Sequence, residues 1–183
     1  MADITLKSPR RRSHRVNGGF TLIELIAVIV VLAILAGAAV PTLTVINSSR
    51  SAMAGKQLLR DLSFARQRAV ATGTRCWVVV NANTETWSVL AENPVSPGRA
   101  GATIITDMAT GKPFTIILTA DEYQGAAIAS CNFDDASEVG FDWLGKPLNS
   151  ASAALSADGT ITLNDGGQIQ VRAHTGHVKY VAP

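Results

Sequence analysis

The chain has few of the residues that carry covalent chemistry or hold metal. Its 183 residues include only three histidines, His14, His174 and His177, and two cysteines, Cys76 and Cys131. There is no C-x-x-C pair, and His174 and His177 bracket a turn without further clustered ligands, so the spacing of a zinc site is missing. Thr110-Gly111-Lys112 lacks the preceding glycine that a phosphate-binding loop needs. Asp134, Asp135 and Asp165 have calcium-type chemistry, but not the ligand spacing of a calcium loop. No serine stands with a credible base and orienter. These gaps exclude the common catalytic constellations, and neither a catalytic residue, a metal nor a cofactor is expected.

Charge is also scarce, at 16% of residues, which fits a chain with a large buried segment. The formal net charge of +2 says little about partners, because its excess is local. Residues 1–19 hold five of the sixteen basic residues (Lys7, Arg10, Arg11, Arg12, Arg15) and one of the fourteen acidic ones, Asp3. The remainder carries eleven against thirteen, a net charge of −2. A slightly acidic product has no general electrostatic attraction for nucleic acid. Near the C-terminus, Gln170-Val171-Arg172-Ala173-His174 offers one arginine with Lys179 close by, a thin patch for phosphate contacts, so a nucleic-acid partner is not expected.

What the chain does have is one long apolar run. From Phe20 to Val40 the only charge is Glu24, and Pro41 follows. A helix over these 21 residues is about 31 Å long at roughly 1.5 Å per residue, matching a hydrocarbon core of about 30 Å. Apolar residues occupy every side of it, so its partner is lipid or other helices of the same kind. The basic residues ahead of the run keep that end cytoplasmic, which puts the C-terminal part in a periplasm-like space. An ordinary secretory signal has its small-residue cleavage site after the apolar run. Here the better processing cue lies before it, so the helix is expected to survive in the mature protein.

The string Gly19-Phe20-Thr21-Leu22-Ile23-Glu24-Leu25, behind a short basic leader and ahead of the apolar run, resembles the prepilin-type signal of type IV pilins and type II secretion pseudopilins. The resemblance covers about residues 10 to 41. It implies cleavage after Gly19 by a prepilin peptidase and an N-methylated Phe20 as the new N-terminus. It also implies that Glu24 pairs with the Phe20 ammonium of a neighbouring subunit. Independently of it, a carboxylate in a bilayer costs about 2.5–3.5 kcal/mol at the midplane, so such a group tends to mark a function. Near the membrane boundary the cost is smaller, and an ammonium partner offsets it. The competing reading is an ordinary signal anchor in which Glu24 is incidental.

Gly37 and Pro41 stand four apart. Pro41 cannot donate to the Gly37 carbonyl and crowds it, so a kink or a locally melted turn is expected. Helical patterning resumes after Asn47-Ser48-Ser49. Leu58, Leu62, Ala65 and Ala69 share one face, and Lys56, Arg60, Ser63 and Gln67 share the opposite one. Gly73 reads as the stop. The period then changes to two, predicting strands over 76–80, 87–90, 114–118, 139–143, 160–163, 168–172 and 177–181 with turns between them. The predicted class is α+β: a long N-terminal helix, membrane half plus amphipathic half, packed on a C-terminal antiparallel β-sheet domain. The expected divisions are a leader (1–19), a transmembrane and polymerisation helix (20–41), an amphipathic helix (42–73) and a periplasmic β-rich domain (74–183). In that compartment Cys76 and Cys131 either form a disulfide or remain two buried thiols.

This second half, with Arg66-Gln67-Arg68-Ala69-Val70-Ala71 near the helix end and a Phe141-to-Gly145 strand-turn, is similar to the GspH/FimT class of minor pseudopilins and minor pilins. The resemblance implies a minor pseudopilin of a type II secretion pseudopilus that supports protein export, or alternatively a minor type IV pilin serving motility, adhesion or DNA uptake. The partners it implies are other pilin or pseudopilin subunits packed through residues 20–40, the prepilin peptidase, an inner-membrane assembly platform and membrane lipid. The implied location is the bacterial inner membrane, single-pass, with the N-terminus cytoplasmic and the domain periplasmic.

Overall fold

The computed structural model describes residues 20–120 and 122–183, with the side chains of residues 38–46 outside that description. Among the described residues one α-helix, α1 (Leu22–Thr72), is followed by ten strands, with a short 3-10 turn (Arg99–Gly101) between the second and third: β1 (Cys76–Asn81), β2 (Thr86–Ala91), β3 (Thr103–Ile104), β4 (Thr115–Ile117), β5 (Ile128–Asn132), β6 (Glu138–Phe141), β7 (Pro147–Leu148), β8 (Gly159–Leu163), β9 (Gln168–Val171) and β10 (Val178–Val181). The chain divides into two compact units, Met1–Val40 and Pro41–Pro183. The helix stops where expected: Gly73, at φ 67°, takes the left-handed conformation that closes a helix C-terminus.

In the second unit the predicted apolar stripe is the centre of the core. Ala54, Leu58, Leu62, Ala65 and Ala69 have no exposed surface. They pack in one cluster with Val78, Val80, Val89, Val139 and Phe141 and with Ile161, Leu163, Ile169 and Val171. Lys56, Arg60 and Gln67, on the opposite face, are exposed. Trimming Leu58 or Leu62 to alanine in such a setting costs about 2–5 kcal/mol.

The strands form two antiparallel sheets, in keeping with the expected antiparallel β-sheet domain. The first has the order β3-β2-β1-β6-β7, with β4 also pairing β2; the second has the order β10-β9-β8-β5. The chain changes sheet at β5, returns for β6 and β7, then completes the second sheet. Alternation is clean on β8 and β9, where Ile161, Leu163, Ile169 and Val171 point to the core while Thr160, Thr162, Gln168 and Gln170 stay half-exposed. The predicted 139–143 strand ends at Phe141, and Trp143 is 51% exposed rather than in the core. A turn begins at Asp142, whose Oδ1 accepts the Leu144 and Lys146 N–H groups at 2.9 and 2.8 Å.

One close approach fixes how α1 meets the second sheet. An ideal Cβ on Gly55 would lie 2.6 Å from Tyr180 Cε2 and 3.0 Å from Leu163 Cδ1. Only glycine lets the Tyr180 ring lie this close to the helix backbone.

Candidate functional site

The sequence places the candidate site at the start of α1. Every described residue from Phe20 to Gly37 is exposed. Phe20 is 83% exposed, Leu22 and Ile23 are each 76%, and no described residue of the chain covers them. A contiguous apolar surface of this extent marks a surface that meets another molecule. Among the described residues no helix is long and apolar enough to cross a membrane. The apolar run continues to Val40, past Gly37, where the described side chains of this segment end.

Thr21 caps this helix. Its carbonyl and its Oγ1 accept the Glu24 N–H at 3.1 and 3.3 Å. Thr21-Leu22-Ile23-Glu24 therefore has the side-chain-to-N3 bond of a capping box, with Glu24 in the first turn. A carboxylate there also faces the positive end of the helix dipole. The T-x-x-E spacing announces this role in the sequence, beside the pairing role that the resemblance implies. Among the described residues no cation forms an ion pair with Glu24. Gly19, the predicted cleavage position, lies outside the described residues, as does the rest of the leader. Gly37 and Pro41 both fall within the bounds of α1.

Cys76 and Cys131 are not joined; both are free thiols. They sit on different sheets, Cys76 opposite Ala91 and Phe141, and Cys131 opposite Ile161. Burial pushes the Cys131 thiol up to about 12 and raises that of Cys76 as well. Arg172, the one arginine of the thin C-terminal patch, is paired with Asp158. Asp134 is held by the Ser156 hydroxyl and N–H. No group of three or more metal-ligating side chains gathers among the described residues.

The sequence reading missed one buried acid. Asp61, 3% exposed, accepts Trp87 Nε1–H at Oδ2 (2.7 Å) and the Gln57 amide at Oδ1 (2.9 Å). Burial raises its carboxyl from 3.8 to about 6, against the opposing pull of those two bonds and of Arg60. Asp61 falls three residues after Leu58, on the apolar face, and that spacing was the signal available in the sequence.

Residues 14–40 match the prokaryotic N-terminal methylation motif. No curated protein matches the chain in sequence. Two solved structures of EpsH, a minor pseudopilin of the type 2 secretion system of Vibrio cholerae, are similar in fold. One is 13% identical with a TM-score of 0.52 and covers 73% of this chain and 98% of the other. The second is 10% identical with a TM-score of 0.54, covering 74% and 96%. The chain therefore joins a prokaryotic N-terminal methylation motif to a pilin-like α+β fold, a helix packed on antiparallel sheets, that structurally matches a minor pseudopilin.

Proposed function

We propose that this chain is a structural minor pseudopilin of a type II secretion pseudopilus, with no catalytic role. It is cleaved after Gly19 and N-methylated on Phe20. It then assembles by packing residues 20–40 against like helices, beginning from the inner membrane with the domain on the periplasmic side. The observation that carries this reading is the exposed apolar helix start at Phe20, inside the matched methylation motif. Apolar helices in lipid gain from close van der Waals packing and from any polar pair they share. Glu24 supplies the acid of such a pair, and the Phe20 ammonium of a neighbour supplies the cation. Gly37 and Pro41 form the point where the stem can bend as subunits are added.

The likeness to EpsH favours a pseudopilus over a surface fibre. The deciding measurement is the intact mass of the mature chain from cells with an active prepilin peptidase. The expected product lacks residues 1–19 and carries one added methyl group. A chain that still begins at Met1 in such cells overturns the proposal. Loss of motility or adhesion with normal export, on deletion of the gene, would move the protein to the minor type IV pilins.

A further inference from the structure

A cavity of about 550 Å³ lies between α1 and the second sheet. Ser49, Ala52 and Lys56 of α1 line one side, and Asp165 of the β8–β9 turn, Tyr180 of β10 and Pro183 line the other. Small-molecule sites commonly measure about 300–1,000 Å³.

Two oxygens of the second side are enclosed and have no hydrogen-bond partner, Asp165 Oδ2 and Tyr180 Oη. They converge on one turn: an ideal Cβ on Gly167 would lie 2.8 Å from Tyr180 Oη and 3.1 Å from Asp165 Oδ1. Asp165 Oδ1 is already engaged, accepting the Gly167 N–H at 3.0 Å, so Oδ2 is the acceptor left over. Burial, and then the Asp165 charge, hold the Tyr180 phenol above its ordinary value, so it keeps its proton and can donate. Enclosed polar atoms without a partner are uncommon in folded proteins, and each calls for a group that completes it. Pro183 is exposed and packs on the same turn, 3.5 Å from the position of a Cβ on Gly166.

The cavity also carries charges of both signs that do not cancel at contact. Among the described residues neither Lys56 nor Asp165 forms an ion pair. Glu122 lines a separate cleft with Lys56, again without an ion pair. Lys179 neighbours Tyr180 on β10 and therefore points to the opposite face of the sheet. A ligand that complements both sides must be zwitterionic. A primary ammonium suits Asp165 Oδ2, because it brings the N–H donors that a trimethylammonium lacks. A phosphate suits the Lys56 ammonium together with the Ser49 and Tyr180 hydroxyls.

We propose that this cavity binds a phosphoethanolamine group, with its ammonium on Asp165 Oδ2, its phosphate on Lys56, Ser49 and Tyr180 Oη, and Pro183 shifted off the turn to admit it. A lipid headgroup and a soluble ester share this chemistry. The inference rests on the domain alone and stands or falls separately from the processing of the N-terminus.

The two tyrosines, Tyr123 and Tyr180, make the test direct. The full chain, with carbon-13 in its tyrosine rings, would be placed in phosphatidylcholine nanodiscs and titrated with glycerophosphoethanolamine. A saturable shift of the Tyr180 resonance is expected, with Tyr123 as the internal reference. Binding should be about tenfold weaker for Asp165→Asn and for Lys56→Gln. Asparagine keeps an oxygen for the Gly167 N–H, and unchanged thermal unfolding of both variants would show that they are folded. A second arm uses nanodiscs containing phosphatidylethanolamine and no soluble ester. The same shift there assigns the site to the lipid headgroup; a shift with the soluble ester alone assigns it to a soluble ligand. Three results would overturn the proposal: no saturable shift in either arm; equal binding of glycerophosphocholine or of glycerophosphate; or parental affinity in both variants.

Discussion

Trp87 Nε1 donates a 2.7 Å hydrogen bond to Asp61 Oδ2, joining β2 to α1 through a buried carboxylate. The carboxyl is raised from 3.8 to about 6, because burial disfavours its charge more than its partners favour it. The folded state therefore binds more protons at this group than the unfolded state does between those values. Stability from Asp61 is fully present below the lower value and is lost as pH rises through about 6. Asp61→Asn does not titrate, so its stability relative to the parent should improve steadily from about pH 4 to about pH 7. Asp61→Ala strands the buried indole N–H and should cost about 1–3 kcal/mol near pH 4. Denaturant unfolding of the three proteins across that range checks both; a pH-independent difference for Asp61→Asn would refute the raised value.

Gly55 gives a prediction against ordinary helix propensity. Alanine at an open helix position is about 1 kcal/mol better than glycine. Here its Cβ would meet the Tyr180 ring at 2.6 Å, with the buried Leu163 behind it. Gly55→Ala should therefore destabilise the protein by about 1–3 kcal/mol. In a Tyr180→Ala background the same change should become much milder. A double-mutant cycle measures the coupling, and additive effects would show that the ring yields without cost.

The two thiols should be inert in the folded protein. Cys76 has no exposed surface, and a Cys131 thiol raised to about 12 has almost no thiolate at neutral pH. Iodoacetamide should label neither cysteine until the chain is unfolded, and then both. Reductant should leave the intact mass unchanged. A native mass lower by two hydrogens that reduction restores would establish a disulfide instead.

Local pattern carried the parts of this fold that local physics decides. The Leu58–Ala69 stripe and the alternation of β8 and β9 are periodic, so their buried faces were legible. β5 was not: in Ile128-Ala129-Ser130-Cys131-Asn132 only Ile128 is buried, and the strand exists because β8, far along the chain, supplies its ladder. The other three strands of that sheet, β8, β9 and β10, overlap the predicted segments 160–163, 168–172 and 177–181, so within it only β5 was not legible. Trp143 looked like the next step of an alternation, but the Asp142 side chain captures two backbone N–H groups and turns the chain first. At the candidate site, the methylation motif around Phe20 and Glu24 was legible because its residues are contiguous in the chain. The capping role of Thr21 was written in the same four residues and needed only a different question.

That second role makes the test of Glu24 sharper. Glu24 is the N3 residue of α1, and its N–H bonds to Thr21 Oγ1. A carboxylate in that turn gains about 0.3–1 kcal/mol from the helix dipole, regardless of any neighbour. Loss of assembly in Glu24→Ala alone would therefore not separate a frayed helix from a missing ion pair. Glu24→Gln does separate them, because glutamine serves in a capping box but carries no charge. If Glu24 pairs with a neighbour's Phe20 ammonium, Glu24→Gln and Glu24→Ala should both reach the membrane and be processed, yet be absent from the assembled fibre. Thr21→Ala, which removes the cap and keeps the acid, should still assemble. Immunoblots of membrane and fibre fractions read the outcome directly. If Glu24→Gln assembles like the parent while Thr21→Ala does not, the acid acts as a cap and the pairing role fails.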